Sequence, residues 1–262
     1  MSEQPSRFDV HGKVAVITGA ASGFGELLAQ RLVAKGCRVV LGDIAETPLQ
    51  NVVHTLNERY PQSALGQRCD VRNFQDIQQL FDIGLAKFKQ VDILVNNAGI
   101  AELQSFFQDH QTAWTDVVDI NFKAVLYGTQ YAVQHWLQVG QTQGVVVNCS
   151  SASAFSLLPI SPIYAATKAA VLHFTSNCKP LRKQGIRVNA IAPFFSETAL
   201  VTNNRQRNSQ FAKVLQGLPL VPKELVVDAY LECIENQSLA GKTLSILPSS
   251  GIQEFKPLRP KL

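Results

Sequence analysis

Tyr164 and Lys168, four residues apart in "SPIYAATKAA", are the side chains whose types and spacing most directly suggest chemistry. Four residues is about one helical turn, so the two would share a face. A free phenol ionises at about pH 10 and is a poor base near neutrality. A cation held beside it favours the phenolate and draws that value down. The pair therefore reads as a candidate general base and its partner. An ordinary helix surface also carries such residues, so the rest of the chain must supply the context.

A second pattern, "TGAASGFG" at 18–25, lies between an apolar run and an amphipathic stretch. Glycines at such a turn let backbone approach a pyrophosphate, and the following helix N-terminus offers N–H donors. Gly19, Ser22, Gly23, Phe24 and Gly25 are the candidate cradle. Asp43, with Ile44 beside it, ends the next apolar run. Its carboxylate would bind ribose hydroxyls and repel a 2′-phosphate, which favours NAD over NADP. "DIAE" also fits a capping box with Asp43 as N-cap and Glu46 at the third helical position, and both roles can coexist. Asp70, next to Val71, either accepts from an adenine amino group or caps a helix.

These residues need a frame to hold them. β-branched runs begin at Lys13, Cys37, Ala64, Val91, Gly144, Ile186 and Lys242, and amphipathic stretches alternate with them. Helices fit 25–36, 49–60, 73–89, 112–138, 162–178 and 223–236, with an early stop or kink near Asn177 because of Pro180. The apolar runs are continuous rather than alternating, as in a parallel sheet buried on both faces. The expectation is an α/β fold: a single doubly wound Rossmann domain over 1–262, about seven parallel strands with helices on both faces.

Of the 262 residues, 46% are hydrophobic and 17% charged, which suits a sizeable core. The net charge of +4 is scattered, so nucleic-acid binding is not expected. Five cysteines without a C-x-x-C read as reduced thiols, and His54, His110, His135 and His173 lack ligand spacing, so no metal is expected. No run is long enough to span a membrane. A cytoplasmic address is expected. The final Pro-Lys-Leu differs from the peroxisomal S-K-L at one position, which leaves that address as the alternative.

"TGAASGFG", "NNAG" (96–99), "NCSS" (148–151) and "YAATK" (164–168) stand in one order. Together they resemble the short-chain dehydrogenase/reductase family, from Lys13 to about Ile252. C-terminal patterning is similar to its NAD-dependent 15-hydroxyprostaglandin dehydrogenase group. The resemblance implies that Asn96, Asn97, Ala98 and Gly99 line or steady the cofactor groove, with Ile191 and Thr198 at the nicotinamide end. It implies Ser151 as the polarising serine, Tyr164 as acid/base, Lys168 as its partner and Asn121 as the helix asparagine. Tyr164 and Lys168 would also touch the cofactor. Phe194 stands where relatives commonly carry glycine. Homodimers or homotetramers through 112–138 and 162–178 are implied as well.

The expected function is hydride transfer between NAD and a small-molecule secondary alcohol or ketone. Phe155, Phe194 and Phe195, with Ser151, Ser161 and Tyr164, would form the substrate pocket under a segment covering 194–222. Its apolar character suggests a lipophilic alcohol, such as a hydroxylated lipid, steroid or terpenoid. Prostaglandin-oxidising relatives carry glutamine at the position of Ser161. The alternatives are an NADPH-dependent carbonyl reductase and a non-catalytic NAD-binding scaffold.

Overall fold

Eight strands form one sheet: β1 (Val14–Thr18), β2 (Arg38–Asp43), β3 (Ala64–Arg68), β4 (Ile93–Asn96), β5 (Gly144–Cys149), β6 (Ile186–Pro193), β7 (Thr243–Leu247) and β8 (Gly251–Glu254). Their order is β3-β2-β1-β4-β5-β6-β7-β8. This computed structural model describes residues 6–102, 106–108, 112–198, 200–202, 206 and 209–256. Strands β1 to β7 pair in parallel, and β8 returns antiparallel to β7. The sequence pattern anticipates seven strands. The eighth is the short, half-exposed "GIQE", which has no apolar run to announce it. Gly251, at φ +65°, helps turn the chain back after Leu247.

The helices are α1 (Gly23–Ala34), α2 (Glu46–Arg59), α3 (Phe74–Phe88), α4 (Trp114–Val118), α5 (Ala124–Gln138), α6 (Pro162–Asn177), α7 (Ser209–Leu215) and α8 (Lys223–Glu235). Strand residues alternate between two apolar layers. Ala15 and Ile17 face α1 and α8, while Val14 and Val16 face α3 and α5. Burial on both faces explains why the strands read as continuous apolar runs. The stretch 112–138 is not one uniform helix: a π turn, Asp119–Lys123, joins α4 to α5 and carries Asn121. Helix α6 stops at Asn177, and the Pro180 segment continues as a 3₁₀ turn, Lys179–Gln184.

The strand order reverses between β1 and β4. Carboxyl ends of parallel strands diverge there and leave a crevice for a ligand. Buried amides brace its floor: Asn96 Nδ2 donates to Asn148 Oδ1 at 2.9 Å, and Asn148 Nδ2 donates to Thr175 Oγ1 at 3.0 Å. Among the described residues, no helix is long and apolar enough to cross a membrane, and no cluster of His, Cys, Asp or Glu fits a metal. Cys37, Cys69, Cys149 and Cys233 are buried free thiols. His110, the final Pro-Lys-Leu and parts of 194–222 lie outside the described residues.

Candidate active site

A cavity of about 760 Å³ opens at the carboxyl ends of β1, β4, β5 and β6. At one end lies the glycine loop. Gly19 and Gly23 have φ of +65° and +63°, a region costly for a residue with a Cβ. A Cβ on Gly19 would come within 2.8 Å of the Ala98 Cα, and one on Gly25 within 2.3 Å of the Gly19 carbonyl oxygen. Asn97 Nδ2 donates to the carbonyls of Thr18 and Gly19, both at 2.9 Å, and Tyr230 Oη donates to Asn97 Oδ1. Ser22 precedes α1 without a side-chain cap bond, so the donors of the first turn have no side-chain partner there. This bare, glycine-lined helix start fits a phosphate-bearing dinucleotide.

Asp43 also lines the cavity. Its carboxylate accepts from Ala21 N at 3.0 Å and Ala45 N at 2.9 Å. The capping-box alternative does not form: α2 begins at Glu46, and its N-cap is Ala45. Lys168 is the only cation among the described residues of the cavity wall.

At the other end, Ser151 hydrogen-bonds Tyr164, and Lys168 lies beside the Tyr164 ring and beneath Gly99. A Cβ on Gly99 would lie 3.2 Å from Asn121 Oδ1 and 3.3 Å from Lys168 Nζ. Asn121 is fully buried and exchanges two hydrogen bonds with Ile100, pinning the loop after β4. Lys168 Nζ donates to Cys149 O at 2.7 Å and lies 5.6 Å from the Tyr164 ring centroid. Ser151 Oγ accepts from Ser153 N–H at 3.2 Å, which leaves its own proton to donate. The neighbouring Ser150 is committed elsewhere, donating to the Lys168 carbonyl at 2.7 Å.

Burial pushes the Tyr164 phenol above its ordinary value, opposed by its hydrogen bond with Ser151. Burial also pushes the Lys168 ammonium down. The sequence argument has Lys168 lowering the phenol. In the folded protein, desolvation is the larger influence on Tyr164.

Ser22, Phe24, Asn97, Ala98, Thr198, Phe194, Phe195 and Ser161 also line the cavity. Eight of the expected residues lie outside its wall, and two of them, Asn96 and Asn121, are buried behind it. Gly25 packs behind the loop, and Ile44 points largely to solvent. Asp70 is not a cap: its carboxylate pairs with Arg72 at 2.6 Å, and Asn73 caps α3 instead. Val71 and Ile191 belong to the two apolar layers. Phe155 stacks on Phe255 with centroids 4.5 Å apart.

Several wall residues carried no sequence signal. Glu102 is buried in the loop after "NNAG". Ser153 and Ser196 line the cavity with buried hydroxyls that have no partner among the described residues. Only the fold reveals them, because serine in a loop is unremarkable by type and spacing.

A doubly wound sheet with a glycine loop at its switch point defines the Rossmann-like α/β class. Residues 13–209 match the family model for short chain dehydrogenase, and the chain belongs to that family, whose members bind a nicotinamide cofactor. An uncharacterized oxidoreductase of Staphylococcus aureus is 38% identical over 190 residues, spanning 72% of this chain and 80% of the relative. The 15-hydroxyprostaglandin dehydrogenase [NAD(+)] of Homo sapiens is 29% identical over 257 residues, spanning 93% and 94%. Among solved structures, a 3-ketoacyl-(acyl-carrier-protein) reductase from Brucella melitensis complexed with NADH is similar at TM-score 0.80 and 29% identity, covering 90% of this chain and 97% of that one. A short-chain type dehydrogenase/reductase from Mycobacterium marinum gives TM-score 0.82 at 25% identity, covering 91% and 95%.

Proposed function

We propose that this chain is an NAD-dependent dehydrogenase that interconverts a lipophilic secondary alcohol and its ketone. The observation that carries the reading is the single cavity holding Asp43 at one end and Ser151, Tyr164 and Lys168 at the other. Asp43 favours two free ribose hydroxyls over a phosphate, and no basic side chain stands beside it on the described wall.

When bound, the nicotinamide supplies the acceptor for the hydride leaving the carbinol carbon. Ser151 donates to the substrate oxygen and holds it against Tyr164. Tyr164 takes the hydroxyl proton in oxidation and returns it in reduction. Lys168 supplies a buried positive charge that favours the phenolate, and Asn121 holds the Ile100 backbone over the same floor. Asn121, Ser151, Tyr164 and Lys168 are the proposed catalytic group. The proposed cofactor contacts are the glycine loop, Asp43, Asn97–Gly99 and Thr198.

The substrate end is apolar. Phe194 and Phe195 lie with centroids 5.1 Å apart, and Val201 and Phe211 pack beside them. The hydroxyls of Ser153, Ser161 and Ser196 interrupt that lining. Such a wall suits a largely apolar alcohol with further neutral oxygens. The named human relative supports NAD and a lipid alcohol, although Ser161 presents a much shorter polar group than glutamine.

A spectrophotometric screen of NAD reduction, using secondary alcohols graded by length and polarity, tests the reading. Lipophilic alcohols should be oxidised most efficiently, with Tyr164→Phe as the silent control. Best efficiency on a short sugar alcohol would overturn the lipophilic part. Equal rates with NADP would overturn the cofactor part. Because burial holds the Tyr164 proton, oxidation should climb with pH through the alkaline range.

A further inference from the structure

We propose that Glu102 caps the helix carrying Tyr164 and thereby releases the Ser161 hydroxyl to bind a neutral oxygen of the substrate. This deepens the dehydrogenase reading and rests on it for the identity of the ligand.

A helix start leaves its first N–H groups without partners, and a serine at N-cap normally takes the one at the second or third position. Ser161 is the N-cap of α6 and Pro162 its first residue, yet Ser161 makes no side-chain cap bond. Glu102 has taken those donors. It accepts from Ile163 N at 2.7 Å and from Tyr164 N at 2.8 Å, one carboxylate oxygen each. A carboxylate at the positive end of a helix, holding two amides, is a strong cap. It also fixes the backbone at Tyr164 itself, which makes Glu102 a positioning residue.

Ser161 is consequently left with nothing to do inside the protein. It is 1% exposed, its Oγ has no partner among the described residues, and it lines the cavity. A buried hydroxyl without a partner is costly, and at the edge of the cavity a substrate oxygen that displaces water supplies the missing bond. The wall around it is neutral to acidic: Glu102 and Asp116 line the cavity, and Lys168, its only described cation, is turned to the Cys149 carbonyl. The matching group is therefore a hydroxyl or keto oxygen rather than a carboxylate.

The test is a double-mutant cycle with wild type, Glu102→Ala, Ser161→Ala and the double variant. Two readouts are taken: the thermal midpoint without substrate, and kcat/KM on two alcohols that differ only by a second hydroxyl near the carbinol carbon. Ser161→Ala should leave the midpoint unchanged or raise it, and should cut the preference for the dihydroxy substrate roughly tenfold, because a lost hydrogen-bonding partner no longer discriminates. Glu102→Ala should lower the midpoint by about 2–4 °C, the usual worth of a cap in a chain this size. It should also erase the preference, since Ser161 then turns back to cap its own helix. In that background, Ser161→Ala should lower the midpoint further. Equal effects of Ser161→Ala on the midpoint in both backgrounds would overturn the proposal, as would a substrate preference that survives Glu102→Ala. If Glu102→Ala does not fold, Glu102→Gln, which retains one acceptor, runs the same cycle with smaller shifts of the same sign. If no alcohol is oxidised, the dehydrogenase reading fails, whereas the midpoint cycle still decides whether Glu102 and Ser161 compete for the helix end.

Discussion

Around the glycine loop, one wall of the cavity is backbone clamped by hydrogen bonds: Tyr230 holds Asn97, which holds the Thr18 and Gly19 carbonyls. Across from it, the wall built by Phe194, Phe195, Val201 and Phe211 is held by ring packing, with Phe195 and Phe211 centroids 5.8 Å apart. The first wall tolerates almost no change of shape, since a Cβ on Gly25 would fall inside the Gly19 carbonyl. Apolar packing is non-directional and accepts volume-conserving exchanges. The contrast is between a wall fixed by geometry and a wall defined by its lining; under the proposed function the first would hold the cofactor and the second would choose the substrate. Tyr164 stands where the two walls meet.

The strongest way to break that contrast is at the junction. Tyr164→Phe should lower turnover by roughly 10²–10⁴-fold while leaving NADH binding intact, read by stopped-flow rates and fluorescence titration. Near-full turnover would remove Tyr164 from the chemistry. Behind the clamped wall, Gly25→Ala should weaken NADH binding by more than about tenfold, because backbone rather than a flexible side chain obstructs the new methyl. Phe195→Leu on the packed wall should instead keep NADH affinity within about twofold and reorder substrate preference. If both variants lost cofactor equally, the two walls would not be independent.

A finer probe is Asp43. NAD should bind at least tenfold more tightly than NADP, about 1.4 kcal/mol, and Asp43→Ala should narrow that gap in calorimetric titrations. The smallest effect concerns the core behind both walls. Burial raises the thiols of Cys37 and Cys69 from 9.0 to about 12. The unfolded chain releases those protons first, so their contribution is intact below pH 9 and is lost as pH rises towards 12. Thermal midpoints should therefore fall across that window, and Cys37→Ala should flatten the decline even though it lowers stability at neutral pH.

What could be read from the chain follows the same division. The glycine loop is legible because only glycine adopts its left-handed turns and close approaches, so the constraint is written in residue type. Tyr164 and Lys168 are legible because helical spacing alone puts them on one face. Strands β1 to β7 are legible because burial on both sides forces unbroken apolar runs. β8 was not, since an edge strand facing solvent needs no such run. Asp70 was ambiguous because a carboxylate before a helix fits several roles; Asn73 takes the cap, and the pairing of Asp70 with Arg72 depends on where that side chain lies.

The sequence by itself determined the α/β alternation, the tight glycine loop after β1 and the tyrosine–lysine pair, because each is set by local backbone geometry or by period. Tertiary structure alone decided which serine meets Tyr164, with Ser150 spent on the Lys168 carbonyl and Ser151 hydrogen-bonded to the phenol. It also decided that Glu102, 62 residues before Tyr164, caps the helix on which Tyr164 sits. Those choices are contacts between segments distant in the chain, and no residue type or spacing encodes which of several equivalent polar groups such a contact will select.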